Sequence, residues 1–394
     1  MWKKLLYAVG IGMLAVGLCG ACRGKLQEEE GGLKRIRFEE KKTKLKRSDL
    51  LEVVDMIHLE TKDSSLLGYI PKLIKRPSGF YIWSVGQIVK FDPEGRFLYR
   101  IDQRGRGPKE YQHIDAISVD GQDRYLYLHD DHLKKVICYH ALTGEYVRNI
   151  MLDFRAFTFM VMPDSRHFVF YCGFSPADDL EKGRQFPRFI IADSLGKVER
   201  TFVYCDKNVN IPDHYSAKDV FSVLDTSVYC FANYSDTVFR ISSALSIDPA
   251  FVLDYGNENQ KKNDILINKL THLEKVEGSP EGMGNEEIVV LSRIVRTAKH
   301  GLFIGGTEDK STFWLYDWEK QEGIDLGEVE DDLIAPFYFM DADSGYFYSP
   351  SSVSGLKEMI IDTPEKYDVQ TVETVKKLDE DANPVIFKIR VKPM

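Results

Sequence analysis

Gly79-Phe-Tyr-Ile-Trp83, Gln87-Ile-Val-Lys-Phe91, Asp92-Pro-Glu-Gly95 and Phe97-Leu-Tyr-Arg-Ile101 follow one another with little between them. Three short runs rich in aromatic and β-branched residues, broken by a Gly-containing gap and an Asp…Gly turn, read as three antiparallel strands. In the turn, Asp caps the backbone with its side chain and Gly supplies the positive φ at which the chain re-enters a strand. The unit repeats. Tyr125-Leu-Tyr-Leu-His129, Lys135-Val-Ile-Cys-Tyr139 and Tyr146-Val-Arg-Asn-Ile150 form a second copy, with the last turn closing at Gly144. A third runs through His167-Phe-Val-Phe-Tyr171 and Phe189-Ile-Ile-Ala192, turns at Asp193-Ser-Leu-Gly196, and leaves along 198–203. Weaker copies stand at Ser227-Val-Tyr-Cys-Phe231, His300-Gly-Leu-Phe-Ile304 and Gly345-Tyr-Phe-Tyr348.

Six units spaced by about 44 residues, or by that plus an insertion, describe propeller blades of four strands each. The fourth and fifth copies match the repeat poorly, so their boundaries stay open. A ring must also close. Leu50-Leu-Glu-Val-Val-Asp-Met-Ile-His-Leu59 and Val385-Ile-Phe-Lys-Ile-Arg-Val391 are strand-like runs outside the six units. Pairing them in the last blade latches the two ends. The expected fold is all-β: a six-bladed β-propeller of four-stranded antiparallel blades with short helical insertions, occupying residues 49–394.

What precedes it reads as an address. Lys3 and Lys4 lead into an apolar stretch from Leu5 to Leu18. About fourteen residues fall short of the ~20 that cross a bilayer as a helix, and suit a signal-peptide core. Gly20-Ala21-Cys22 then has the form of a lipoprotein cleavage site, so residues 1–21 are expected to be removed and Cys22 acylated. Residues 22–48, which contain Gln27-Glu-Glu-Glu30 and Gly31-Gly32, read as a flexible tether. The basic cluster from Lys34 to Arg47 holds a single aromatic residue, Phe38, is interrupted by Glu39 and Glu40, and sits in a chain of net charge −9, which argues against nucleic acid. The expected location is the cell envelope, as an outer-membrane lipoprotein facing the periplasm or the surface, attached through lipid alone.

Several stretches resemble the Bacteroidetes-type six-bladed β-propeller lipoproteins, relatives of the NHL-repeat and TolB-like propellers. They are Ile57-His-Leu-Glu-Thr61 with Leu67-Gly-Tyr-Ile70, Phe91-Asp-Pro-Glu-Gly95, Gly105-Arg-Gly-Pro-Lys-Glu-Tyr111 and Asn383-Pro-Val-Ile-Phe-Lys388. The resemblance covers essentially all of the chain from about residue 50. It implies a fold and export, and carries no catalytic residue.

The remaining motifs are weighed on their chemistry. Gly105-Arg-Gly-Pro-Lys-Glu-Tyr111 lacks the Lys-Ser/Thr of a P-loop and a following helix to offer its amides. It reads as a tight crossover between blades one and two, with Glu110 accepting backbone N–H groups. His129-Asp-Asp-His132 falls in a turn where Asp is an ordinary turn former, and none of the nine histidines has the paired spacing of a metal site. Cys138, Cys172, Cys205 and Cys230 form no CxxC and no disulfide framework. Trp83, Trp314 and Trp318 read as blade packing. No catalytic set, cofactor or metal is expected.

In an antiparallel four-stranded blade, the crossover into the first strand and the turn between the second and third share one face. The irregular segments 175–186 and 257–285, and a helix expected to be capped by Thr363, begun by Pro364 and running to about Leu378, all fall there. Long loops at one end of a rigid scaffold are where binding sites usually lie. The expected site is therefore Arg104, Arg106, Glu110, Tyr111, His113, Asp131 and His132. The expected role is a monomeric, non-catalytic module that binds a glycan, peptide or envelope protein. The alternative is a polysaccharide or peptide lyase or hydrolase acting in the central channel.

Overall fold

The computed structural model describes residues 33–37, 45–173, 180, 185–206, 219–233, 235–254, 290–306, 311–336, 338–361 and 363–393. The segments 1–32, 175–179, 181–184 and 257–285, on which the address and two of the expected insertions fall, lie outside the described residues.

The chain folds as a six-bladed β-propeller. Blade one sets the pattern with strands Lys72–Arg76, Gly79–Ser84, Gln87–Phe91 and Phe97–Ile101, each paired antiparallel with the next. The first strand of every blade lines the axis. The second and third strands lie between neighbouring blades and are covered on both faces. That is why their sequences are largely apolar runs: in Gly79–Ser84 and in Lys135–His140 every residue but one is buried. The fourth strand is an outer edge, and Phe97–Ile101 mixes partly covered with exposed positions.

Neighbouring blades lock through aromatic edges and buried hydroxyls. Tyr127 meets Phe168 at 5.1 Å, and Phe80 of the first blade meets Tyr348 of the last at 5.8 Å. Tyr81 donates to Asp123 Oδ1 at 2.6 Å, and Tyr171 donates to Asn233 Oδ1 at 2.8 Å. Cys138, Cys172 and Cys230 are buried in this packing and Cys205 partly so, and no disulfide joins any two of the four. Trp314 is buried, while Trp83 and Trp318 are partly covered.

The Asp…Gly turns do more than reverse the chain. Asp92 Oδ1 accepts from the amides of Glu94 and Arg96 at 3.0 and 2.8 Å. Gly95 has φ +84°, and a Cβ there would come within 2.3 Å of the His58 carbonyl oxygen. Glycine is thus required twice, by backbone conformation and by the close approach of the closing strand.

The ring closes as the two terminal runs imply. Blade six is built in the order Asp341–Ala342, Phe347–Ser351, Val385–Val391, Leu51–His58, so its outermost strand comes from the N-terminal part of the chain. The register runs from Leu51 opposite Val391 to His58 opposite Val385, with one bulge near Val53. Asn383 pins the loop that follows: its side-chain amide donates to the Glu60 and Ser65 carbonyls, both at 2.8 Å. Its oxygen accepts from Leu67 N at 2.9 Å.

Two expectations need correction. Residues 22–48 are not all tether. Arg35–Arg37 adds a fifth, parallel strand to the outer edge of blade four, with Ile36 fully buried. Residues 45–50 are clasped to the crossover before blade six. There Arg47, fully buried, donates to Asp331 Oδ1 and the Ala335 carbonyl, both at 2.6 Å, and Ser48 bonds both oxygens of Asp332. These two pieces form a strap along the rim that covers an otherwise open sheet edge. Nor is there one helix from Pro364 to about Leu378. Helix Val353–Ile361 comes first, then a single 3-10 turn Pro364–Lys366, then helix Val369–Lys376. Thr363 makes no capping bond; Asp368 is the cap, accepting from Gln370 N and Thr371 N. Val353, Leu356, Ile360, Val372 and Val375 seat the pair on blade six.

Candidate functional site

The crossover after blade one is a built wedge. Gly105 N bonds the Tyr111 carbonyl at 2.9 Å, Tyr111 N bonds Gln103 O at 3.0 Å, and Gly107 N donates to Glu110 Oε2 at 2.7 Å. The carboxylate of Glu110 therefore satisfies the loop's own backbone, as the sequence suggests. Tyr111 must be removed from the expected ligand contacts: it is fully buried, its hydroxyl donates to Gly86 O at 2.8 Å, and burial pushes its pKa up to about 12. The wedge is also held from blade two, where Lys135 Nζ donates to the Glu110 carbonyl at 2.6 Å.

The His129-Asp-Asp-His132 turn divides its four side chains among different tasks. His129 is fully buried against Phe159 and Phe170, and burial lowers its pKa. Asp130 accepts from Gln112 N at 2.7 Å and Leu133 N at 3.0 Å. Asp131 ties the next crossover, accepting from Ala156 N at 2.9 Å and facing Arg155 Nε at 3.4 Å. Its carboxylate is thus committed to the fold more than the sequence reading allowed. Only His132 points outward, its ring 5.7 Å from that of His113. Among the described residues no three His, Cys, Asp or Glu side chains converge as metal ligands.

Of the seven expected residues, Arg104, Arg106, His113 and His132 are exposed. Three of them lie on the crossover between blades one and two, and the fourth, His132, stands beside His113. Arg104 is partly anchored, donating to the carbonyls of Val85 and Gly86.

A second group, on the axis, escapes sequence reading. The first strands enclose a central cavity of about 530 Å³. At its crossover-face end Lys72 of blade one pairs with Asp219 at the entry to blade four, on the opposite side of the ring. The other oxygen of Asp219 takes Arg293 of blade five. Arg293 also donates to Phe339 O at 3.2 Å and lies 4.4 Å from the Tyr338 ring centroid. Burial alone would raise the Asp219 pKa; the guanidinium and ammonium overcome it and hold the carboxyl at about 2. The triad is a charged crossbar over one mouth. Further along, Asp341 accepts from Lys75 N at 2.7 Å, with Arg76 at 3.8 Å, and burial pushes its pKa up.

With this geometry in place, comparison with known proteins is informative about kinship. A family model described as a domain of unknown function, DUF4934, matches residues 33–390. The chain belongs to this family. The DUF4934 match starts at the strap, so it includes both docked N-terminal pieces. Among solved structures the chain is similar to a "Putative exported protein" of Bacteroides fragilis, at 18% identity and TM-score 0.72, covering 91% of this chain and 100% of that one. It is also similar to a member of the DUF4221 family from Bacteroides vulgatus, at 13% identity and TM-score 0.47, covering 88% and 99%. At such identities the first likeness bears on the fold, and the second carries no argument. A search of the curated proteins finds no match. Among the described residues no helix is long and apolar enough to cross a membrane.

Proposed function

We propose that this DUF4934 propeller is an exported, lipid-anchored binding module of the Bacteroidetes lipoprotein type, and that it takes a glycan, peptide or envelope protein on its crossover face. The observation that carries the reading is the crossbar. Lys72, Asp219 and Arg293 obstruct the axial mouth on that face, which leaves the surrounding loops as the accessible surface. A carboxyl held at about 2 by two cations carries no exchangeable proton near neutral pH, so Asp219 is unsuited to general acid or base work. The blade-six helix pair stands on the same face, between second and third strands. One feature favours the alternative of channel chemistry: Asp341, a carboxyl pushed toward its protonated form inside a cavity, as general acids often are. Loss of any activity on envelope polysaccharide in Asp341→Asn would select that alternative.

The binding reading is tested with the intact protein, by pull-down from its native envelope beside a glycan array. Arg104→Glu with Arg106→Glu is expected to weaken the captured ligand at least about tenfold while the protein stays folded and melts only slightly lower, since Arg106 is exposed and Arg104 gives up surface bonds to the Val85 and Gly86 carbonyls alone. Undiminished binding by the double variant would remove the crossover face as the site. The anchor is tested separately. Cys22→Ala is expected to move the protein from the membrane fraction to the soluble fraction; a variant that stays with membranes after a high-salt wash refutes acylation at Cys22.

A further inference from the structure

On the opposite side of the ring, between blades four and five, lies a cleft of about 320 Å³. Three elements build it: Lys34 from the strap, Tyr229, Arg240 and Asp248 from blade four, and Arg296 with Trp318 from blade five. The Arg296 guanidinium carbon is 4.1 Å from the Tyr229 ring centroid and 4.3 Å from that of Trp318. Its Nε and Nη1, together with the indole Nε1 of Trp318, are shut off from solvent and make no hydrogen bond among the described residues. Lys34 Nζ lies 5.7 Å from the same indole centroid.

Buried donors almost always find an acceptor, and those that do not call for an explanation such as a missing water or ion. Here every orphan is a donor. The charges agree: three cations line the cleft against one carboxylate, Asp248, which is exposed, 4.0 Å from Arg240, and already accepts the Ser246 hydroxyl. On a chain of net charge −9 this is a local reversal of sign. Burial, and then the neighbouring charge of Arg296, press Lys34 toward its neutral form. An anion between the two cations relieves that opposition and supplies the absent acceptors.

We propose that this cleft is a binding site for an oxyanion, the carboxylate or phosphate group of a small ligand. Lys34 is the flexible wall of the cleft, an ammonium on a four-carbon stem that can turn from the indole to a bound group. Because Lys34 belongs to the strap, occupancy also fastens the strap to blades four and five. The site is distinct from the crossover face and does not depend on what that face binds.

Calorimetric titration of the full chain with acetate, inorganic phosphate and glucuronate, and with glucose as the neutral control, tests it at constant ionic strength. The expected result is saturable binding of at least one of the anions and none of glucose, weakened about tenfold in Lys34→Met and lost in Arg296→Met. Comparing the carboxylates with phosphate tells which group is the natural one. Should Arg296→Met fail to fold, Lys34→Met and Arg240→Met carry the same test. Binding should persist in Arg104→Glu with Arg106→Glu, which keeps this result separate from that of the crossover face. No anion binding, or undiminished binding in the folded cleft variants, overturns the proposal.

Discussion

A chain lacking residues 1–59 is expected to lose its cooperative thermal transition rather than melt a few degrees lower. The deletion takes away the outer strand of blade six and leaves Val385–Val391 as a bare edge of seven residues. It also removes Leu50, Leu51, Ile57 and Leu59 from buried positions. At roughly 1.5–3 kcal/mol for each buried aliphatic side chain, the lost burial alone is on the order of 6–12 kcal/mol, as large as the whole stability of an ordinary domain. The strap goes too, and with it the Arg47 bonds to the Leu333 and Ala335 carbonyls. Far-ultraviolet dichroism during heating checks the outcome. A sharp transition close to that of the intact protein would show that the ring does not need its latch. Adding a peptide of residues 45–60 in trans should restore some cooperativity if the strand itself is what matters.

The second large effect concerns the crossbar. Asp219→Asn leaves Lys72 and Arg293 facing each other across the channel without their shared anion. Removing one partner from a buried ion pair typically costs about 3–5 kcal/mol, because the remaining charge stays desolvated. The pH dependence has a definite sign. Asp219 is depressed to about 2 in the folded state, below its ordinary carboxylate value of 3.8. Its contribution is therefore complete above about pH 4 and disappears as pH falls from there toward 2. The difference corresponds to about 2 kcal/mol at neutral pH. Urea titrations of the wild type across that window should show the decline, and Asp219→Asn should show that much less of it. Identical acid sensitivity in the two proteins would mean that the triad is not what acid breaks. Replacing all three members with apolar residues of similar size should recover much of the stability, since the crossbar exists through pairing and not through burial.

The parts of the fold that were readable in the sequence are those that repeat. Second and third strands must be apolar on both faces, so Gly79–Ser84, Tyr125–Asp130 and His167–Tyr171 announce themselves at regular spacing. Closure was readable because Leu51–His58 precedes the first blade with no neighbouring strand to join, while Val385–Val391 follows the last repeat and leaves one edge for it. The strap was not. It docks through two apolar residues, Ile36 and Leu50, and through Arg47 and Ser48, which find carboxylates and backbone carbonyls, and so thin a pattern does not differ in composition from a solvated linker. Lys72, Asp219 and Arg293 sit in the weakly patterned first strands and the crossover into blade four, far apart along the chain; only ring closure makes them neighbours. Tyr111 misled because a tyrosine in a glycine-rich loop suits either a ligand or a buried carbonyl, and its neighbour Gly86 offers the carbonyl. The helix pair was half visible. Val353, Leu356 and Ile360 have helical spacing, but the serines and Gly355 around them obscure it, and Thr363 drew attention from the true cap at Asp368.

The latch also sets a clock. Arg390 bonds Glu52, a partner 338 residues earlier in the chain. Ribosomes add roughly 5–20 residues per second, so the strand made first waits about 20–70 s before the strand that receives it exists. During that interval Leu51–His58 is an unpaired, β-prone segment, and the blades already made form an open arc with two raw ends. Pairing so distant in sequence is also slow to find once the chain is complete. The hazard of this architecture is thus one of timing: an arc that meets another arc before its own last strand arrives can close in the wrong company, and a chain truncated by only its final ten residues should be as prone to this as one that never had its first sixty.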